Sequence, residues 1–244
     1  LVVSLGIREI EAELGLNPDD DALSLMFDAL TSLFYIDTFD RPDMRSVLEE
    51  AQRAVAAMGP RAIPLIVDRI DDADLKAELA YAQTCGLMGE MAITSLLDYY
   101  ERQTEPALRA FILYAFGKIK SEKIVAALPA ILEAVQSPTR EIEDTAVRAL
   151  GKIFESIRPT TVDTATRETI FTALIGKLDH PNDVIRSKAV RSLGKLARHG
   201  FLNDTQREFV RARMRVILGM EEDEPWDYAY LVRREARELL DNLD

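Results

Sequence analysis

The chain has 244 residues, 48% of them apolar and 30% charged, enough for a sizeable core under a solvated skin without disulfides or structural metals. Its 30 Lys and Arg against 42 Asp and Glu leave a net charge of -12, which disfavours nucleic acid and anionic membranes as partners of the whole surface. One cysteine forms no internal disulfide, and the longest uncharged run, Leu79 to Gly89, is too short to span a bilayer, so no membrane segment and a cytoplasmic location are expected.

Apolar residues recur with a helical period nearly throughout. Around Leu23–Tyr35, the residues Met26, Phe27, Leu30, Leu33 and Phe34 predict a helix outside any repeat pattern, and residues 1–41 are read as an amino-terminal helical cap. Residues 42–244 form the rest of what is expected to be a single domain. Short turns punctuate it at Arg41-Pro42-Asp43, Asp71-Asp72, Ser137-Pro138, His180-Pro181-Asn182 and Glu224-Pro225, where proline suits the first turn of a helix. Leu75, Leu79, Ala82 and Gly86 share one helical face, as do Ala146, Leu150 and Ile153. The acidic run Glu221–Glu224 is read as a turn before a polar carboxy-terminal helix carrying Arg233, Arg234, Arg237 and Glu238.

One short pattern repeats. Gln83–Met88, Tyr114–Ile119, Arg148–Ile153 and Arg191–Leu196 align with Gly at 86, 117, 151 and 194, at intervals of 31, 34 and 43 residues. Arg53–Met58 precedes the series with Ala56 in the glycine place, and Glu238–Leu243 follows with Asp241 there. A separate apolar helix comes before each of several copies, for example Leu128–Leu132 and Ile170–Ile175. Near-copies at variable spacing mean one helical hairpin with insertions in its loops. Such a hairpin buries its apolar face only by stacking on the next. Helices on the repeat side are expected to start near residues 74, 106, 139, 182 and 227. Gly151 and Gly194 are expected where neighbouring helices touch, so that a larger residue there overpacks the stack.

The order of an apolar helix, a turn holding Asp or Pro, and a helix reading Val-Arg, Ala and Leu-Gly resembles the HEAT repeat, in particular the short bacterial form known as lyase-like HEAT repeats. Asp179–Leu196 carries the likeness most fully, and it extends over roughly residues 42–244. The resemblance implies an all-α fold, an α-solenoid of about five to six helical hairpins forming a right-handed superhelix. It also implies an inner row of helices that lines a concave binding face.

No catalytic constellation is legible. Cys85 fills the small-residue slot beside Gly86 and reads as core packing, His180 as a turn residue and His199 as a helix end. The glycines are isolated, so no phosphate-cradling loop is present. The acidic pairs fall at turns and helix starts, where they complement the helix dipole. Neither a metal site nor a cofactor is proposed by any spacing. Arg109, Arg186 and Arg233 take the arginine place of the repeat and read as partners for acids in turns.

The remaining set is Lys118, Arg148, Lys152, Arg191 and Lys195. Arg148 and Arg191 are equivalent in successive repeats, as are Lys118, Lys152 and Lys195. Residues four apart share a helical face, so the five are expected to form an exposed basic stripe along the inner helices. Two readings stand: ordinary solvated charge, or a surface for an acidic partner or anion. The leading function is a non-enzymatic scaffold or adaptor that binds another protein on its concave face, its oligomeric state open. The fold resemblance leaves an accessory enzyme related to HEAT-type phycobilin lyases as the alternative. A nucleic-acid-binding reading, as in DNA glycosylases built from similar repeats, is disfavoured by an isoelectric point near 4.8 and a single Trp. The iron site of the HEAT-built deoxyhypusine hydroxylase needs His-Glu pairs, whereas His180 precedes Pro181 and His199 precedes Gly200.

Overall fold

A computed structural model describes residues 2–221 and 224–243, so the middle of the acidic run read as a turn, Glu222 and Asp223, lies outside the described residues. All regular structure among the described residues is helical, and the chain divides into two compact units, Leu1–Lys120 and Ser121–Asp244.

In the first unit, α1 (Val2–Leu14) and α2 (Asp20–Thr31) both pack on α3 (Arg45–Ala57). The short α4 (Ala62–Arg69) leads to α5 (Leu75–Met88), and α6 (Ile93–Arg102) to α7 (Pro106–Phe116). Helices α3, α5 and α7 pack in a row. Their starts follow from local chemistry. Asp19 accepts a hydrogen bond from the Ala22 amide to open α2, Asp74 accepts from the Lys76 and Ala77 amides to open α5, and Pro106 occupies the first turn of α7. The core gathers around Tyr81 of α5, whose ring stacks on Phe27 at 6.2 Å and meets Phe34 edge-on at 5.1 Å. Helix α5 therefore turns Ala77, Tyr81, Cys85 and Met88 inward, while Leu75, Leu79 and Leu87 stay exposed.

The second unit repeats one hairpin. An outer α8 (Leu128–Val135) pairs with α9 (Arg140–Ile153), α10 (Thr164–Gly176) with α11 (Asp183–Arg198), and α12 (Asp204–Ile217) with α13 (Tyr230–Asp241). The inner helices stack in the order α9, α11, α13. They bury Ala146 and Leu150, Ala189 and Leu193, and Ala236 and Leu239 in one core, closed by Phe154 against Phe201 at 4.5 Å. The capping box at Asn203 and Gln206 opens α12.

Four inner helices start within a residue of the expected positions. The last starts at Tyr230 rather than near 227. Asp227 is otherwise engaged: its carboxylate accepts the Ala229 amide at 2.8 Å and a two-pronged bond from Arg186, and Ala229 is extended, so the helix begins only at Tyr230.

Candidate functional site

Helix α11 lies between α9 and α13, and Lys188, Arg191, Lys195 and Arg198 recur on it at three- and four-residue steps, so one face of the helix is basic. That face floors a pocket of about 480 Å3. Arg148 and Lys152 of α9 form one wall, and Arg234, Glu235 and Glu238 of α13 the other. Ser192 completes the floor, its hydroxyl donating to the Val147 carbonyl at 2.9 Å.

The cations are held in place by carboxylates. On the α9 side, Glu155 is shared between the Lys152 ammonium at 2.8 Å and the Lys195 ammonium at 3.1 Å. On the α13 side, the buried Glu235 takes two bonds from Arg191, at 2.9 and 2.5 Å, and one from Arg234 at 2.8 Å. Lys188 pairs with Asp144 at 2.5 Å, and Arg198 approaches Glu238 only to 3.9 Å. The hydrogen bonds from Arg191, working against burial, hold the Glu235 carboxyl below its ordinary range. Burial likewise opposes ionisation of Glu155, but the Lys152 and Lys195 ammoniums outweigh it and keep that carboxyl low.

Four of the five stripe residues therefore meet in one pocket: Arg148, Lys152, Arg191 and Lys195. Lys118 belongs to the other unit, where its ammonium lies 4.8 Å from the centre of the Tyr114 ring. The expectation of a fully exposed stripe needs correction. The Lys195 side chain is only 7% exposed, because α11 is flanked on both sides and the lysine lies on the side toward Glu155. Arg191 is more open but tied to Glu235. Sequence reasoning missed Lys188, Arg198 and Arg234, and the carboxylates that order the set. The first two were legible, since 188, 191, 195 and 198 follow one helical face. Glu155 and Glu235 were not, because they come from beyond the end of α9 and from α13 and become partners only once the helices stack.

Burial pushes the Lys195 ammonium down to about 8 from 10.5; Glu155 pulls the other way, while Lys152 and Arg191 add repulsion. Below about 8 the folded and unfolded chains both carry this charge, and the folded chain bears its full cost; above 10.5 neither carries it. Between those limits the unfolded chain binds more protons, so stability rises with pH. Denaturant midpoints of the parent are expected to gain on those of Lys195→Met as pH climbs from 8 to 10.5. Parallel curves for the two proteins would mean that the ammonium is solvated.

The other candidates are structural. Burial drives the Cys85 thiol up to about 12, so it is not a nucleophile at neutral pH. His180 accepts the Asn182 amide on Nδ1 and sets Nε2 3.3 Å from Glu143, and His199 caps the end of α11. Arg186 grips Asp227, while Arg109 and Arg233 lie over the rings of Tyr100 and Trp226 at 4.3 and 4.6 Å. Among the described residues no group of three or more His, Cys, Asp or Glu is placed to hold a metal, and no helix is long and apolar enough to cross a membrane.

No protein-family model and no curated protein matches the sequence. Solved structures do match its fold. Importin beta aligns with 92% of this chain at 16% identity and a TM-score of 0.61, the match covering 29% of the importin beta chain. A designed armadillo repeat protein in complex with the peptide (KR)4 aligns over 97% of this chain and 98% of its own at 15% identity, TM-score 0.56. Another designed armadillo repeat protein covers 93% of this chain and 95% of its own at 15% identity, TM-score 0.53. The fold is thus a helical-repeat α-solenoid of the HEAT and armadillo class.

Proposed function

We propose that this chain is a non-enzymatic, cytoplasmic protein-binding module that needs no cofactor and takes an acidic segment of a partner protein on the inner helices of residues 121–244. One observation carries the reading: a pocket of about 480 Å3 is walled by seven Lys and Arg side chains and only two carboxylates, on a chain of net charge -12. Elsewhere the surface repels an anion, so the field steers it to this face. Residues 1–120 hold 11 Lys and Arg against 21 Asp and Glu, which sharpens that contrast. The armadillo neighbour holds a basic peptide, (KR)4; a pocket walled by lysine and arginine suits the opposite charge. Residues 1–41 act in this reading as the cap of the array 42–244, since α1 and α2 close one side of α3.

Titration with octaglutamate and octalysine peptides tests the idea. The full chain is expected to bind octaglutamate in preference, and less tightly as salt shortens the Debye length. Arg148→Glu with Arg198→Glu alters two exposed positions, so stability should move by no more than about 0.5 kcal/mol at each. Affinity for octaglutamate should nevertheless fall roughly ten-fold or more, the scale of losing close charge pairs. Equal binding of the two peptides, or an unaffected double variant, would overturn the proposal.

A further inference from the structure

The ion pairs of the pocket come in two unequal sets. Lys152 and Lys195 share the single carboxylate of Glu155, and Arg191 and Arg234 share the single carboxylate of Glu235. Lys188 and Arg198 have one carboxylate each, Asp144 and Glu238. Six of the pocket's seven cations therefore share four carboxylates, which leaves one positive charge over in each shared set. The two surpluses flank the basic face of α11, one toward α9 and one toward α13. One carboxylate ligand, with a single charge, neutralises one set and leaves the other. A phosphate monoester brings nearly two charges at neutral pH and three strong acceptor oxygens, and it meets guanidinium forks and ammonium groups alike.

We infer that the pocket formed by α9, α11 and α13 is a site for a phosphate monoester dianion, presented as a phosphorylated side chain within the acidic segment of a partner protein. This rests on the pocket being the partner-binding face. Lys195 strengthens the case from inside the wall. Its ammonium is nearly buried between Glu155 and the repelling charges of Lys152 and Arg191, and a dianion in the pocket relieves that repulsion. The volume of about 480 Å3 falls in the range of small-ligand sites, ample for a phosphorylated side chain. Arg191 and Lys195, anchored by their carboxylates, are held in place before the ligand arrives, so little side-chain freedom is lost on binding.

The test compares three peptides of one glutamate-rich sequence whose central residue is phosphoserine, glutamate or serine, titrated into the full chain by calorimetry. The phosphoserine peptide is expected to bind at least ten-fold more tightly than the glutamate peptide, and the serine peptide weakest. Lys152→Gln with Arg234→Gln removes one cation from each shared set at positions 40% and 51% exposed, leaving Lys195–Glu155 and Arg191–Glu235 as simple pairs. In that variant both peptides should bind more weakly and the phosphoserine advantage over glutamate should vanish, at an unchanged melting midpoint. Equal affinity of the phosphoserine and glutamate peptides overturns this inference and leaves the acidic-segment reading standing. Failure of all three peptides to bind overturns both. A thymidine oligonucleotide that outcompetes the phosphoserine peptide would also overturn it, since its phosphates are singly charged diesters.

Discussion

Asp227→Ala is expected to destabilise the carboxy-terminal unit by about 3 kcal/mol or more, the scale of breaking a largely buried ion pair from one side. The Arg186 guanidinium, with its side chain 18% exposed, gives Asp227 two hydrogen bonds at 2.7 and 2.9 Å. Its other nitrogen donates to the His180 carbonyl at 2.8 Å, so it cannot swing out to water without losing the turn before α11. Removing the carboxylate strands that charge. It also frees the Ala229 amide and with it the entry to α13. Arg186→Met combined with Asp227→Leu should cost less than Asp227→Ala alone, because no uncompensated charge remains. Thermal melts followed by circular dichroism decide it. A midpoint for Asp227→Ala within a degree or two of the parent would show that the pair is solvated and that the start of α13 is set by something else.

This pair shows what the repeat pattern disclosed and what it did not. Arg109, Arg186 and Arg233 occupy one slot of the repeat, and the slot announces an arginine bound to a turn. Arg186 finds a carboxylate there, because Asp227 lies at the next turn along the stack. Arg233 donates to the Asp227 backbone carbonyl at 2.6 Å and covers the Trp226 ring, and Arg109 covers the Tyr100 ring. The slot is shared while the partner varies, since the turns differ in sequence and length. The inner helices were legible because their glycines and small residues mark the line where helices approach. In α5, by contrast, the helical period of Leu75 and Leu79 did not mark the core: both are exposed, and Tyr81 with Cys85 faces inward. Periodicity locates a face; packing decides which face is covered.

The pocket divides in the same way. Repeat equivalence placed Arg148 with Arg191 and Lys152 with Lys195, and those four do meet. The same arithmetic could not show that Lys195 is buried or that Arg191 is anchored. Those facts depend on Glu155 and Glu235, which lie 40 and 44 residues away from their partners in the chain. A basic stripe read from sequence has only charge. The folded pocket adds fixed geometry and a defined surplus of charge, and selectivity rests on both.

Gly151→Ala should also be costly, by about 1–3 kcal/mol, as overpacking between closely packed helices is. A Cβ there would come within 2.6 Å of the Ser192 Cβ and 2.8 Å of its Cα, so backbone and not only a side chain must retreat. The repeat predicts the same of Gly194, but the structure separates the two. A Cβ on Gly194 comes nearest the Leu239 Cδ1, at 3.4 Å, the movable end of a side chain, with the next atoms at 3.9 and 4.0 Å in ordinary contact. Gly194→Ala should therefore be near neutral, the roughly 1 kcal/mol gained in helix propensity offsetting the adjustment. Ser192→Gly added to Gly151→Ala should recover part of the loss by removing the nearest side-chain atoms, while the clash with the backbone at 192 still costs the rest. Ser192 also floors the basic pocket, and α9 carries Arg148 and Lys152. Forcing α9 away from α11 moves those cations relative to Arg191 and Lys195. Gly151→Ala, which changes no charge, should thus weaken octaglutamate binding, while Gly194→Ala leaves it intact. If both variants melt and bind as the parent does, α9 and α11 do not meet at Gly151, and the pocket is not fixed by their packing there.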